Sequence, residues 1–188
     1  LMPAAVSGVE AERLSRLGRY KEAIASARAL PAAVGAVLGE RHPYFANSLG
    51  NLARFHAEQG DERTALALFE RGLSIKKGAL GEGHPAYAAT LNNLAALLTR
   101  MGDARAALPL HEGARASRRA ALGGGRLDYA RSLDSVAGLH ARMGAHAVAR
   151  RLHEEALAVR RKAHGERHPA YAAGLNNLAA LHYLMGDP

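Results

Sequence analysis

Residues 81–104 read GEGHPAYAATLNNLAALLTRMGDA and residues 165–188 read GERHPAYAAGLNNLAALHYLMGDP. Aligned without a gap, they differ only at Gly83/Arg167, Thr90/Gly174, Leu98/His182, Thr99/Tyr183, Arg100/Leu184 and Ala104/Pro188. They stand two intervals of 42 residues apart, and that interval runs through the chain. Gly39, Gly81, Gly123 and Gly165 form one column, and Gly18, Gly60, Gly102, Gly144 and Gly186 form a second in phase with it. Self-similarity at a fixed period of this size marks a repeat architecture. The units are 39–80, 81–122 and 123–164, followed by a half unit at 165–188. A degenerate leading unit occupies 1–38, where LGRYKEAI at 17–24 answers QGDERTAL at 59–66. One array over 1–188 is expected.

Within a unit the text predicts two helices. His84-Pro85 opens the first, because proline suits a first turn whose N–H has no partner in any case. Gly102 closes it as a left-handed residue just past the last turn. Asp103 then caps the second helix, which runs to about Leu122 and stops at Gly123. Linkers this short make neighbouring helices antiparallel. Counting the leading pair and the final half unit, nine helices result. Pro31 and Pro109 fall inside helices and are expected to kink them without breaking them. At about 100° per residue, Leu91, Leu94, Ala95 and Leu98 share one stripe, while Ala89, Asn93, Ala96 and Arg100 share the opposite one. The Leu91/Leu94 pair recurs as Leu49/Leu52, Leu133/Val136 and Leu175/Leu178, so the stripe is read as core in every unit. One helix pair cannot bury it alone, whereas stacked pairs can, and the fold class is an all-α solenoid.

Composition agrees. The 188 residues carry 25 Lys and Arg against 17 Asp and Glu, a net charge of +8 that favours acidic partners. Cysteine and tryptophan are absent. That excludes disulfides, thiolate nucleophiles and cysteine-ligated metals, and it fits a cytoplasmic location. No apolar run approaches the roughly 18 residues of a membrane span, and LMPAAVSGVEAE does not read as a signal peptide. The chain begins with Leu, as a piece of a longer protein would.

LNNLAALLTRMGDARAALPLHEGA at 91–114, preceded by LGEGHPAYAAT, resembles the 42-residue tetratricopeptide repeats of kinesin light chains and of bacterial proteins with similar arrays. The resemblance covers 39–188 well and 1–38 weakly. Unit 123–164 departs from it, with Gly125-Arg126-Leu127 in place of x-His-Pro and Asp134-Ser135 in place of the Asn pair. What the resemblance implies is a right-handed superhelix with a concave groove, lined mainly by first helices, that binds an extended peptide or a partner's helix. Its Asn side chains would clamp the peptide backbone. The wheel places Asn51, Asn93 and Asn177 on the polar stripe, with Ser135 in the missing place. An amide both donates and accepts, which suits a peptide bond. Arg54, Glu58, Arg100, Arg131 and Arg142 share that stripe, four positive charges to one negative, so the expected ligand is acidic.

Other chemistry finds little support. His42, His84 and His168 share a helix-start column; His56, His140 and His182 another; His111 and His153 a third, all at positions read as architectural. HEGAR and HEEAL lack the second His of a zinc-protease helix. Gly81-Glu82-Gly83 and Gly123-Gly124-Gly125 lack a preceding strand and the Gly-Lys-Ser/Thr of a phosphate loop. No metal, cofactor or catalytic residue is assigned, and the module is read as non-enzymatic. Lys76-Lys77, Arg118-Arg119 and Arg160-Arg161 form a basic column at the ends of second helices, where the helix dipole favours positive charge. A polyanion or RNA role for it ranks third, because bases would also need interleaved aromatics. The column Phe45, Tyr87, Tyr129 and Tyr171 is read as packing. Self-association or scaffolding through solenoid edges ranks second. The segment 169–185 ends where a further helix would begin, and is expected to fray or to pair with a second copy through Leu178 and Leu181.

Overall fold

The computed structural model describes residues 2–122 and 127–186. The expected stop at Gly123, the 123–125 turn, Arg126, and Asp187-Pro188 lie outside the described residues. Ten helical segments follow in order: α1 Met2–Arg16, α2 Tyr20–Ala27, α3 Ala29–Leu38, α4 Pro43–Gln59, α5 Glu62–Leu80, α6 Pro85–Arg100, α7 Ala104–Leu122, α8 Leu127–Arg142, α9 His146–His164 and α10 Pro169–Met185. No strand occurs among the described residues. α2 and α3 together fill one repeat position, so the helices number nine by repeat position. They part at Arg28, which keeps helical dihedrals (φ −58°, ψ −32°). Pro31 is the cause: it offers no N–H to the carbonyl of Ala27, and its ring crowds that carbonyl. The hydrogen-bond ladder is interrupted at one residue while the backbone there stays helical. α7 passes through Pro109 without a break, as expected.

The helix ends are built as their residues dictate. The Nδ1 atoms of His42, His84 and His168 accept the N–H groups of Tyr44, Ala86 and Ala170 at 3.2, 3.1 and 3.1 Å. Each histidine is therefore a side-chain cap in front of its proline, with its ring proton on Nε2. Asp61 and Asp103 cap α5 and α7 by accepting from Thr64 and Ala106. Ala145 in the same column gives α9 no side-chain cap. Gly60 (φ +93°) and Gly102 (φ +88°) take the left-handed region after the first helices, which a side chain would strain.

The chain divides into two compact units, Leu1–Glu82 and Gly83–Pro188. Each is a stack of antiparallel pairs joined through alanine. Ala11 and Ala53 on first helices, and Ala23 and Ala65 on second helices, are fully buried in unit 1; Ala95, Ala137, Ala107 and Ala149 repeat this in unit 2. Such small side chains let paired backbones approach, and larger residues fill the space on either side. In unit 1, Ala11, Leu14, Ile24, Leu52 and Phe55 form one cluster and Val34, Phe45 and Leu49 another. In unit 2, Tyr129, Leu133, Val136, Leu152 and Leu181 form the main cluster. The stripe is core in α4, α6 and α8. In α10 it is not: Leu175 is 45% exposed and Leu178 only half-buried, while Gly174 and Leu181 are the buried residues. α10 packs on one flank, chiefly against α9, so its inward face is rotated toward that side. Leu181 is thus core, and not the edge residue expected.

Candidate functional site

In unit 1, Asn51 stands exposed on α4. Arg54 and Glu58 are engaged. Arg54 donates to Glu12 of α1 and to Glu58 at 3.3 Å, and lies over the Phe55 ring at 4.8 Å. Ser15 of α1 donates to Glu58. These four polar side chains tie α1 to α4, so unit 1 presents little unopposed charge on this face.

In unit 2 the polar stripe is open. Asn93 and Arg100 on α6 are exposed opposite the buried Leu91, Leu94 and Ala95, and Arg131 and Arg142 on α8 are exposed opposite the buried Leu133, Val136 and Ala137. Among the described residues Arg131 has only a loose contact to Asp128 at 3.8 Å and Arg142 has no ion pair. Ser135 donates to the Arg131 carbonyl. Ser135, Arg142 and Asn177 come together around a depression of about 390 Å³ between α8 and α10. Its remaining wall is Asp134, Gly138, Ala141, His153, Ala180, Leu181 and Leu184.

Asp134 organises the floor. It accepts from His153 Nδ1 at 2.9 Å, from Arg160 Nη2, and from the Asn177 amide. Burial disfavours its charge, yet the hydrogen bonds from His153 and Arg160 and the guanidinium charge outweigh burial and hold the carboxyl below its usual range. One repeat earlier the same two positions hold Asn92 and His111, joined at 2.9 Å. There burial, with the Arg118 charge second, lowers the imidazole to about 4, so His111 is neutral. At these positions Asp134 does not mark a lost contact; it links α8, α9 and α10. Sequence comparison flags it as a departure from the Asn pair, and the signal for its role lies in the matching His and Arg on the second helix.

The basic column divides in two. Lys76 and Arg160 are 7% and 5% exposed, and Arg118 is half-buried, donating to Ser132 and to the Asp128 carbonyl. Burial lowers the pKa of both Lys76 and Arg118. Of the outer members, Lys77 pairs with Glu82 and Arg161 with Glu166 at 2.8 Å, leaving Arg119 as the exposed one without an ion pair among the described residues. His111 and His153 are buried packing residues, and His56 is buried with its Nδ1 on Asp61 at 2.9 Å. No group of three His, Asp or Glu able to hold a metal ion occurs among the described residues. None of the described helices is long and apolar enough to cross a membrane.

A family model for the tetratricopeptide repeat matches residues 11–78, 44–120, 86–162 and 128–188. Comparison with curated protein sequences gave no match. Among solved structures, the chain resembles the nearly identical TPR-like repeats of a kinesin light chain-like protein from Podosopora anserina. The TM-score is 0.84 and the identity 24%, covering 97% of this chain and 86% of that one. It also resembles BtubC (BKLC) from P. vanneervenii, with a TM-score of 0.84, 22% identity, and coverage of 96% and 72%. MamA from Desulfovibrio magneticus RS-1 superposes at 0.57 with 15% identity over 98% of this chain and 96% of that one. At these identities the structural likeness speaks for the fold.

Proposed function

The chain belongs to the tetratricopeptide repeat family, whose repeats are generally protein–protein interaction modules, and from that premise we propose that it binds an extended acidic segment of a partner protein on the polar face of its first helices, without catalysing a reaction. One observation carries this reading. In unit 2 an amide and three arginines are exposed on the outer faces of α6 and α8, opposite their buried stripes, a concentration of positive charge beside a hydrogen-bonding amide that supports recognition of an acidic segment. The amides read a peptide backbone and the arginines attract carboxylates. In unit 1 the same stripe offers Asn51, while Arg54 and Glu58 are held by α1.

The test is binding of displayed nine-residue peptides to the full chain, comparing wild type with Asn93→Leu and Arg142→Ala. Both side chains are exposed, so the melting temperature stays put, and each substitution weakens the selected peptides at least tenfold, about 1.4 kcal/mol. Unchanged affinity in both variants refutes the reading. The polyanion alternative draws little from a column whose inner members are buried; tight RNA binding at physiological salt with no peptide bound would restore it. Self-association draws support from Leu175, Tyr183 and Leu184, all exposed on α10. Sedimentation at rising concentration tests it with Tyr183→Lys, since Leu181→Lys would disrupt the core.

A further inference from the structure

Resting on the peptide reading above, we propose that the depression beside Gly138 is an anchor pocket for one aliphatic side chain of the bound segment, flanked in that segment by a carboxylate. The pocket exists because unit 123–164 departs from its neighbours. Ser135 stands where the adjoining units have Asn93 and Asn177, Gly138 where they have Ala96 and Ala180, and Ala141 where they have Thr99 and Tyr183. Each change removes bulk from the face that α8 turns toward α10. The bulk removed on one side is met on the other by Ala180, the buried Leu181, and the exposed Leu184. The result is a depression of about 390 Å³ with mainly hydrocarbon walls.

Its polar floor decides the kind of side chain. Asp134 and His153 are bonded to each other, and Asp134 also holds Arg160 and Asn177. A tyrosine hydroxyl or an indole N–H would have to compete with His153, Arg160 and Asn177 for the Asp134 carboxylate, and a donor left unpaired there is costly. An aliphatic side chain carries no such cost and gains from leaving water. Two polar groups then fix the rest of the segment. Asn177 gives an amide N–H to Asp134, which turns its carbonyl oxygen into the acceptor left for a backbone N–H of the ligand. Arg142 stands on the rim, exposed and without an ion pair among the described residues, and takes the carboxylate. The Asp134 charge is balanced by Arg160 and does not repel an acidic ligand.

The experiment selects random nine-residue peptides, displayed on phage, against the full 188-residue chain, and measures the enriched sequences by fluorescence anisotropy. Enriched peptides are expected to share an aliphatic residue beside Asp or Glu. Filling the pocket by Gly138→Leu is expected to weaken them at least tenfold. A side chain at Gly138 meets no atom within 4 Å at its Cβ, so the fold tolerates it. Ala180→Leu fills the same space from the exposed opposite wall and serves as an independent variant. If both filled variants bind like wild type while Asn93→Leu and Arg142→Ala lose binding, the pocket is overturned and the wider reading stands. Enrichment of aromatic residues in place of aliphatic ones also overturns it. No enrichment, or affinity indifferent to all four substitutions, overturns both.

Discussion

Replacing Gly174 with serine should stabilise unit 2, and replacing it with alanine should not. Arg160 is almost wholly buried, and its Nη1 has no hydrogen-bond partner among the described residues. In the preceding repeat the equivalent Arg118 gives that bond to the hydroxyl of Ser132, whose place in α10 is taken by Gly174. A serine there restores an acceptor, removing a penalty of about 1–3 kcal/mol for a buried unmade donor. Glycine in mid-helix also costs about 0.4 kcal/mol relative to serine. Against this, a Cβ at Gly174 would come within 2.9 Å of Leu157 Cδ1 and 3.0 Å of Arg160 Nη1. Both are ends of flexible side chains, and moving them costs about 0.5–1.5 kcal/mol. The serine variant therefore gains about 1 kcal/mol, or roughly 0.5 M in the urea midpoint at a slope near 2 kcal/mol/M. Alanine brings the same crowding and no acceptor, so it is neutral or destabilising by about 0.5 kcal/mol. Urea unfolding followed by circular dichroism, with amide exchange across α9 and α10, reads both. A serine variant no more stable than the alanine one would show that Arg160 does not use the hydroxyl.

Asp134 has a lowered folded-state pKa, so its contribution is present above the unfolded carboxylate pKa and is lost as pH falls through the folded value. Wild type should lose stability on acidification below about pH 4 more steeply than Asp134→Asn, and Asp134→Ala should cost about 3 kcal/mol at neutral pH by leaving Arg160 unpaired. His111 binds its proton only near pH 4 when folded, whereas the unfolded chain takes it up near 6.5. Stability should therefore fall as pH drops from about 6.5 to 4, by roughly 2–3 kcal/mol, and thermal melts of His111→Phe should lack that slope. Leu133→Ala, at a fully buried site, should cost about 2–5 kcal/mol, while Leu175→Ala at the equivalent position of α10 should cost about 1 kcal/mol or less. Equal losses in urea unfolding would contradict the rotated packing of α10.

The helices, their caps and the buried stripe could be read in the sequence because the repeat displays each position several times, and local chemistry agrees with the pattern at most of them. Second-helix burial is equally legible once its spacing is followed. Ala65, Phe69, Gly72 and Lys76 fall at intervals of 4, 3 and 4, as do Ala107, His111, Ala114 and Arg118, so the first cation of each doublet continues the inward stripe and the second lies about 100° away from it. Alignment of the doublets alone hides this, since both members recur. The pocket was harder to see. Its walls come from two first helices in successive units, and it depends on bulk that is missing from Ser135, Gly138 and Ala141, which a search for ligand-contacting groups passes over. The orientation of α10 depends on which neighbours it has, and periodicity within one helix carries no such information.

The polar pairs beneath the stripe have a bearing on how such a chain reaches its own fold. Repeats this alike can dock on the wrong neighbour with nearly the same apolar contacts, and near-degenerate alternatives slow folding and trap misassembled states. The matching positions hold Gly50 and Phe69 in one unit, Asn92 and His111 in the next, and Asp134 with His153 and Arg160 in the third. Were the α9 helix to dock on α6, Arg160 would meet an amide where it needs a carboxylate. Were α7 to dock on α4, the His111 N–H would face a glycine. The first leaves a buried guanidinium without its counter-charge and the second leaves a buried donor unmet, at about 1–3 kcal/mol or more, enough to reject a misplaced helix several-fold to a hundredfold before the rest of the stack closes over it.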